Sequence, residues 1–214
     1  MFKRKCRPNS RGLDVPTRVP LNIWQFLDGM AVRRELARLG AASPPRLDEC
    51  KFDQLSAGRA TWRLTYGRGL HAYVSVNRGE YNEERYVVLL DAERFYRAWL
   101  SSSLTSPASP RDCFAKIRER MPLDYKFEEA VKGFRHGREN PVPLPTITSW
   151  HSSKGPRIGF SDGVTRTYWL LYNRVGVFPA EVRSQEDAHI LHGLVGAGLG
   201  PMRCSDIFRR RDAL

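Results

Sequence analysis

The residues best placed to do chemistry lie in one run, Arg157-Ile158-Gly159-Phe160-Ser161-Asp162-Gly163-Val164-Thr165-Arg166-Thr167-Tyr168-Trp169-Leu170-Leu171. Its pattern predicts a strand entering a Gly turn and a helix leaving it. The first amides of such a helix have no partner within the helix and carry positive partial charge, so the turn can receive an anion. Gly163 lets a phosphate approach the backbone, Thr165 can donate a hydroxyl, and Arg166 can fork onto two phosphate oxygens. Thr167, one step further on, belongs to the same candidate phosphate set. Asp162 can cap the helix, hold Arg166 or ligate a divalent ion. The same residues also read as an ordinary N-cap Asp, a turn Gly and a solvated Arg.

Two further segments supply candidates. Asp124-Tyr125-Lys126-Phe127-Glu128-Glu129 opens a predicted helix. Glu128 there is the candidate base for positioning a water, and Lys126 a candidate phosphate contact. A capped helix with a solvated acidic first turn explains the same residues. Arg135-His136-Gly137-Arg138 is a basic loop before a Pro-led strand. His136 is the strongest acid/base candidate of the five histidines, and Arg138 a candidate phosphate contact. A basic helix C-terminus accounts for them equally well. Trp150 could stack on a base, beside His151 in a loop able to close over a nucleotide. His189 and His192 are spaced i, i+3 but lack a third metal ligand in range.

The elements that must position these groups follow from periodicity. Ile23, Leu27 and Met30, then Val32, Leu36 and Leu39, predict a helix ending at Gly40. Alternation over 61–66 and 70–76 around Gly67-Arg68-Gly69 predicts a hairpin, and 85–90 a third strand. Asp91 caps a helix burying Phe95, Ala98 and Trp99. Residues 101–110 read as a surface loop. A helix capped by Asp112 and ended by Pro122 follows, then another from about Asp124 to Gly137. Strands are predicted at 144–150, 157–160 and 177–182, and a final helix from Ser184 carries Ile190, Leu191, Leu194 and Val195. The tail reads as Gly-rich and then basic.

Composition bounds the function. The 214 residues, 41% hydrophobic and 27% charged, suffice for one core and exclude wholesale disorder. Thirty-five Lys and Arg against 23 Asp and Glu leave +12. That surplus favours an anionic partner, nucleic acid or nucleotide phosphate, over a merely solvated basic surface. Lys3, Arg4, Lys5, Arg7, Arg11 and Arg18 among prolines make residues 1–20 a candidate basic arm, with residues 21–214 forming one α+β domain. Cys6, Cys50, Cys113 and Cys204 form no zinc or disulfide pattern and read as core thiols, Cys6 excepted. No apolar run is long enough to span a membrane and the start does not read as a signal peptide, so no membrane insertion and a cytoplasmic location are expected.

The turn and its surroundings resemble the ParB/sulfiredoxin superfamily. There a strand ends in a D-G-x-x-R turn, a helix follows, and a second strand ends in an apolar stretch containing Pro. Here the parts are Ile158 to Phe160, Asp162 to Arg166, Thr167 to Asn173, and Val177 to Val182 with Pro179, the likeness covering about 122–183. Sulfiredoxins carry a cysteine where Val164 stands, which removes the nucleophile of reductase chemistry. ParB proteins usually carry a second basic residue where Thr165 stands, and no helix-turn-helix follows the box. Residues 135–144 and 160–171 are most similar to the plasmid fertility inhibition branch, of the Osa and FiwA type. The resemblance implies a mixed sheet with flanking helices and a protein that blocks passage of another plasmid's DNA through a type IV secretion channel. It implies ATP hydrolysis and DNA cleavage, with ATP or another nucleotide as cofactor and Mg2+ as a further candidate. DNA and the coupling protein or relaxosome are the implied partners. The implied roles are phosphate cradling by Gly163, charge stabilisation by Arg166, and orientation of Arg166 or a metal by Asp162. A non-catalytic occluding binder and a ParB-like nucleotide switch on DNA are the alternatives.

Overall fold

The computed structural model describes residues 23–39, 45–56, 58–79, 84–105, 115–153 and 155–212. The expected arm at 1–20, the cap Asp112, Cys6 and Cys113 lie outside them. Helix α1 (Ile23–Arg38) leads into β1 (Cys50–Leu55), β2 (Arg59–Tyr66) and β3 (Leu70–Asn77). Next come β4 (Tyr86–Asp91), α2 (Ala92–Thr105), a 3-10 segment (Arg118–Leu123) and α3 (Phe127–Arg135). Then follow β5 (Val142–Pro143), β6 (Thr146–Ser152), β7 (Gly155–Asp162), α4 (Val164–Tyr172), β8 (Val177–Val182), α5 (Gln185–Val195), β9 (Met202–Arg203) and α6 (Cys204–Asp212).

The strands form two mixed sheets, with helices packed around them. One has the order β1-β2-β3-β5, the other β7-β6-β8-β4-β9. In the first, β2 and β3 are the expected hairpin, and Gly67 and Gly69 take the positive φ its turn needs. β5 adds in parallel beside β3. In the second, β4 lies between β8 and β9. Its Val87, Val88 and Leu90 are fully buried, as a continuous apolar run in a central strand should be. The segments around 144–150, 157–160 and 177–182 share this sheet, as expected. β6 meets β8 in parallel only at Thr146 opposite Glu181. Pro179, inside β8, therefore gives up no ladder bond on that side.

Helix α2 is started by Asp91, whose Oδ1 accepts from the amides of Glu93 and Arg94, each at 3.0 Å. It delivers Phe95, Tyr96, Trp99 and Leu100 fully into the core. Trp99 stacks on Tyr168 of α4 at 5.4 Å and meets Phe160 of β7 at 4.8 Å. Trp169 of α4 stacks on Phe134 of α3 at 3.9 Å and meets Tyr66 of β2 edge-on. Helix α4 is thus clamped by aromatic rings from both sheets' neighbourhoods, and its near neighbours are α3, the 3-10 segment and α2.

Several expectations are corrected. The helix expected to end at Pro122 is, over its described part, a 3-10 segment that contains Pro122, entered through extended Ile117. The next helix starts at Phe127, not Asp124, which belongs to the preceding corner. Strand β1 was not anticipated, nor were β9 and α6 in the supposed tail. Cys50 and Cys204 are buried thiols as expected, and burial pushes both up to about 12.

Candidate functional site

Strand β7 ends at Asp162, and α4 begins at Val164 with Gly163 as its N-cap. Gly163 has φ +90, a conformation that costs an L side chain strain. A Cβ there would also stand 2.7 Å from Pro145 Cα. Gly163 is required because the chain before β6 presses on the turn. Gly163→Ala is expected to lower stability by about 1–3 kcal/mol from the backbone strain alone. A urea titration with an unchanged midpoint would show that the turn relaxes freely.

Around this turn lies an open cleft of about 590 Å³. Asp162, Gly163, Thr165 and Arg166 line it from the turn and the start of α4, and Asp124, Tyr125, Lys126 and Glu129 from the corner and the start of α3. Ala130, Gly133, Val142 and Phe160 supply apolar lining. Arg166 is held from two sides: one terminal nitrogen donates to the Pro143 carbonyl at 2.8 Å, and the other to Asp162 Oδ2. The Arg166 side chain is 16% exposed, whereas that of Asp162 is 72% exposed. The other Asp162 oxygen accepts from the Gly163 amide at 2.7 Å. Asp162 therefore shapes the turn and orients the guanidinium together.

Asp124 ties the corner before α3 to α4. It accepts from Lys116 at 2.8 Å, from the Thr165 hydroxyl at 3.3 Å and from the Lys126 amide at 3.2 Å. Burial by itself would raise the Asp124 carboxyl, but these bonds outweigh it and hold the group below its ordinary value. The tie thus strengthens the fold above the unfolded carboxylate's range and is lost as pH falls through the lowered value.

The structure brings Arg166, Asp162, Gly163, Thr165 and Lys126 to one cleft. It does not bring the others there. Thr167 is fully buried and its hydroxyl donates to the Gly163 carbonyl at 3.0 Å, so it locks the first helical turn. Glu128 is exposed outside the cleft lining, and its neighbour Glu129 takes the cleft position. His136 is the exposed C-cap of α3, and Arg138 pairs with Asp53 of β1 at 2.8 Å. Trp150 lies across β6 and β7 against Gly159. His189 and His192 bond separate carbonyls, of Gln185 and Gly198. Helical spacing alone groups Glu129 with Ala130 and Gly133 on one side of α3, next to its N-cap Lys126. Asp124 had no such signal, since its role depends on Lys116 and Thr165.

Comparison with known proteins places this cleft in context. A family model described as plasmid fertility inhibition factor matches residues 87–196, from β4 into the loop after α5. Protein osa of Shigella flexneri is 30% identical over 151 residues, which is 68% of this chain and 73% of that protein. In fold, the chain is similar to the crystal structure of the oncogenic suppression activity protein, a plasmid fertility inhibition factor, as its gold(I) cyanide derivative. The TM-score is 0.68 at 24% identity, covering 88% of this chain and 95% of the other.

Proposed function

The chain belongs to the plasmid fertility inhibition factor family, and from that premise we propose that it stops transfer by ATP-linked hydrolysis of the transferred DNA. The observation that carries this reading is convergence: a clamped Arg166 and the carboxylates Asp162 and Glu129 share one cleft with the start of α4. An occluding binder needs only an exposed patch, whereas phosphoester hydrolysis needs charge stabilisation and a proton acceptor side by side.

In this reading the first amides of α4 receive a phosphate, and Arg166 meets the charge that develops on its oxygens. Asp162 keeps the guanidinium aimed at the cleft. Glu129, rather than Glu128, is the carboxylate lining the cleft from α3 that takes a proton from the attacking water. Lys126 offers a point charge to a neighbouring phosphate. Asp124 stays committed to Lys116 and Thr165 and holds the corner and α4 in register.

A divalent ion fits on limited terms. Among the described residues no three His, Cys, Asp or Glu side chains converge as a metal site. Mg2+ is commonly held by one or two carboxylates plus substrate phosphates. Asp162 suits that arrangement and leaves Glu129 free to accept the proton, and the ion would offset the negative charge of the phosphates. The proposed place of action is the type IV secretion gate, with the coupling protein or relaxosome as neighbour. No helix among the described residues is long and apolar enough to cross a membrane.

The test is direct. Purified full-length protein with ATP and Mg2+ should shorten linear DNA and release inorganic phosphate, and should block plasmid transfer in a mating assay. Full inhibition of mating without any DNA or ATP turnover would replace hydrolysis with occlusion.

A further inference from the structure

Large aromatic side chains are normally covered, yet Tyr125 is 87% exposed. It does not stand out because its segment is loose. Asp124, just before it, is pinned by Lys116, Thr165 and the Lys126 amide. The Asp124 amide also donates to the carbonyl of Met121, and the Phe127 amide to that of Asp124. Met121 and Phe127 are buried on either side. The corner is anchored at both ends and holds its ring out at the cleft rim, where Tyr125 is part of the lining. The Lys126 ammonium lies 5.3 Å from the ring centroid. Leu123, on the same corner, is 77% exposed.

We infer that Tyr125 is a stacking platform for an unpaired base of the strand that this cleft engages. The inference rests on the reading of the cleft as the site of DNA hydrolysis. Every base offers a flat face, and a protein ring beside a phosphate-binding groove captures it without regard to sequence. In a duplex those faces are covered by neighbouring bases, so an open corner meets them only on a single strand. Lys126 is positioned to attract the phosphate of the same or the next nucleotide. The exposed apolar groups here are two neighbouring side chains, Leu123 and Tyr125, beside a cleft that also carries Asp124, Lys126, Asp162 and Arg166. This suits one base and its backbone better than a protein partner, which covers a larger apolar patch.

The experiment measures binding of full-length protein by fluorescence anisotropy to a labelled oligothymidylate, to the matching duplex, and to an oligomer of abasic nucleotides. Tyr125→Ala should weaken oligothymidylate binding roughly five- to 150-fold, while Tyr125→Trp retains it. Binding of the abasic oligomer should not change between them. Equal losses on oligothymidylate and abasic oligomer would overturn stacking, as would no loss on either. Unchanged oligothymidylate binding with lost inhibition of mating would assign Tyr125 to a protein contact instead. Hydrolysis assayed in parallel separates the two claims. A failed platform with intact DNA turnover leaves the cleft reading standing, whereas absent turnover overturns that reading even if Tyr125→Ala weakens oligothymidylate binding.

Discussion

Arg166→Ala is expected to abolish measurable hydrolysis and inhibition of transfer while the protein stays folded. The guanidinium is held by the Pro143 carbonyl and by Asp162, so its position in the cleft is set before any ligand arrives. Loss of a preorganised donor to developing charge costs about 2.7–4 kcal/mol of activation energy. That is roughly a hundred- to a thousandfold in rate. The stability cost should be small by contrast. Asp162 is largely exposed, and an ion pair with an exposed partner contributes only about 0–1 kcal/mol. Arg166→Lys should recover part of the activity, because an ammonium supplies charge without the fork. The checks are turnover of linear DNA and ATP, a mating assay, and circular dichroism for the fold. A folded Arg166→Ala protein that inhibits mating fully would refute the catalytic role and favour occlusion.

The largest loss of stability is expected from Trp99→Ala, about 3–5 kcal/mol. Trp99 is fully buried and meets Phe95, Phe160 and Tyr168 within 5.8 Å between ring centroids. Through Phe160 and Tyr168 it joins α2 to the strand that ends at the cleft and to the helix that begins there. Its removal leaves a large void and takes away dispersion contacts that the surrounding rings cannot restore by shifting. Since whole domains are stable by about 5–15 kcal/mol, the variant should unfold at much lower denaturant concentration. Trp99→Phe should fall between the two. A loss below about 1 kcal/mol for Trp99→Ala would mean that the rings do not hold these elements together.

Much of the site was legible because its determinants are local. Asp162-Gly163 ends one periodicity and begins another, and the positive φ of Gly163 is what such a turn demands. Arg166 follows within one helical turn, so its place in the cleft wall needs only the helix and the strand before it. Elements missed by the residue pattern depended on distant partners. β1 exposes Lys51 and Phe52 and half-covers Asp53, so it lacks a clean alternation, and it exists because β2 offers a ladder. α6 is Arg-rich with little apolar periodicity. Its start is tied by Glu84, which accepts from the Ser205 amide and hydroxyl across the intervening chain.

Local preferences along the chain suffice for the strand–Gly–helix turn, the hairpin at 59–77, the central apolar strand and the caps at Asp91 and Ser184. Each is a preference of a few adjacent residues: backbone freedom, side-chain alternation, or an oxygen within reach of an amide. Packing between distant segments settles which flanking groups join the turn. Glu128 and Glu129 are chemically alike and differ by about 100° around α3. The burial of Phe127, Ala130 and Phe134 rotates Glu129 to the cleft and leaves Glu128 outside it. Arg138 is drawn away by Asp53, on a strand far earlier in the chain. Asp124 gains its role from Lys116 and Thr165, which the chain brings to it from both directions. Local preference sets what each segment becomes, and the packing of buried faces against one another sets which side of it meets the site.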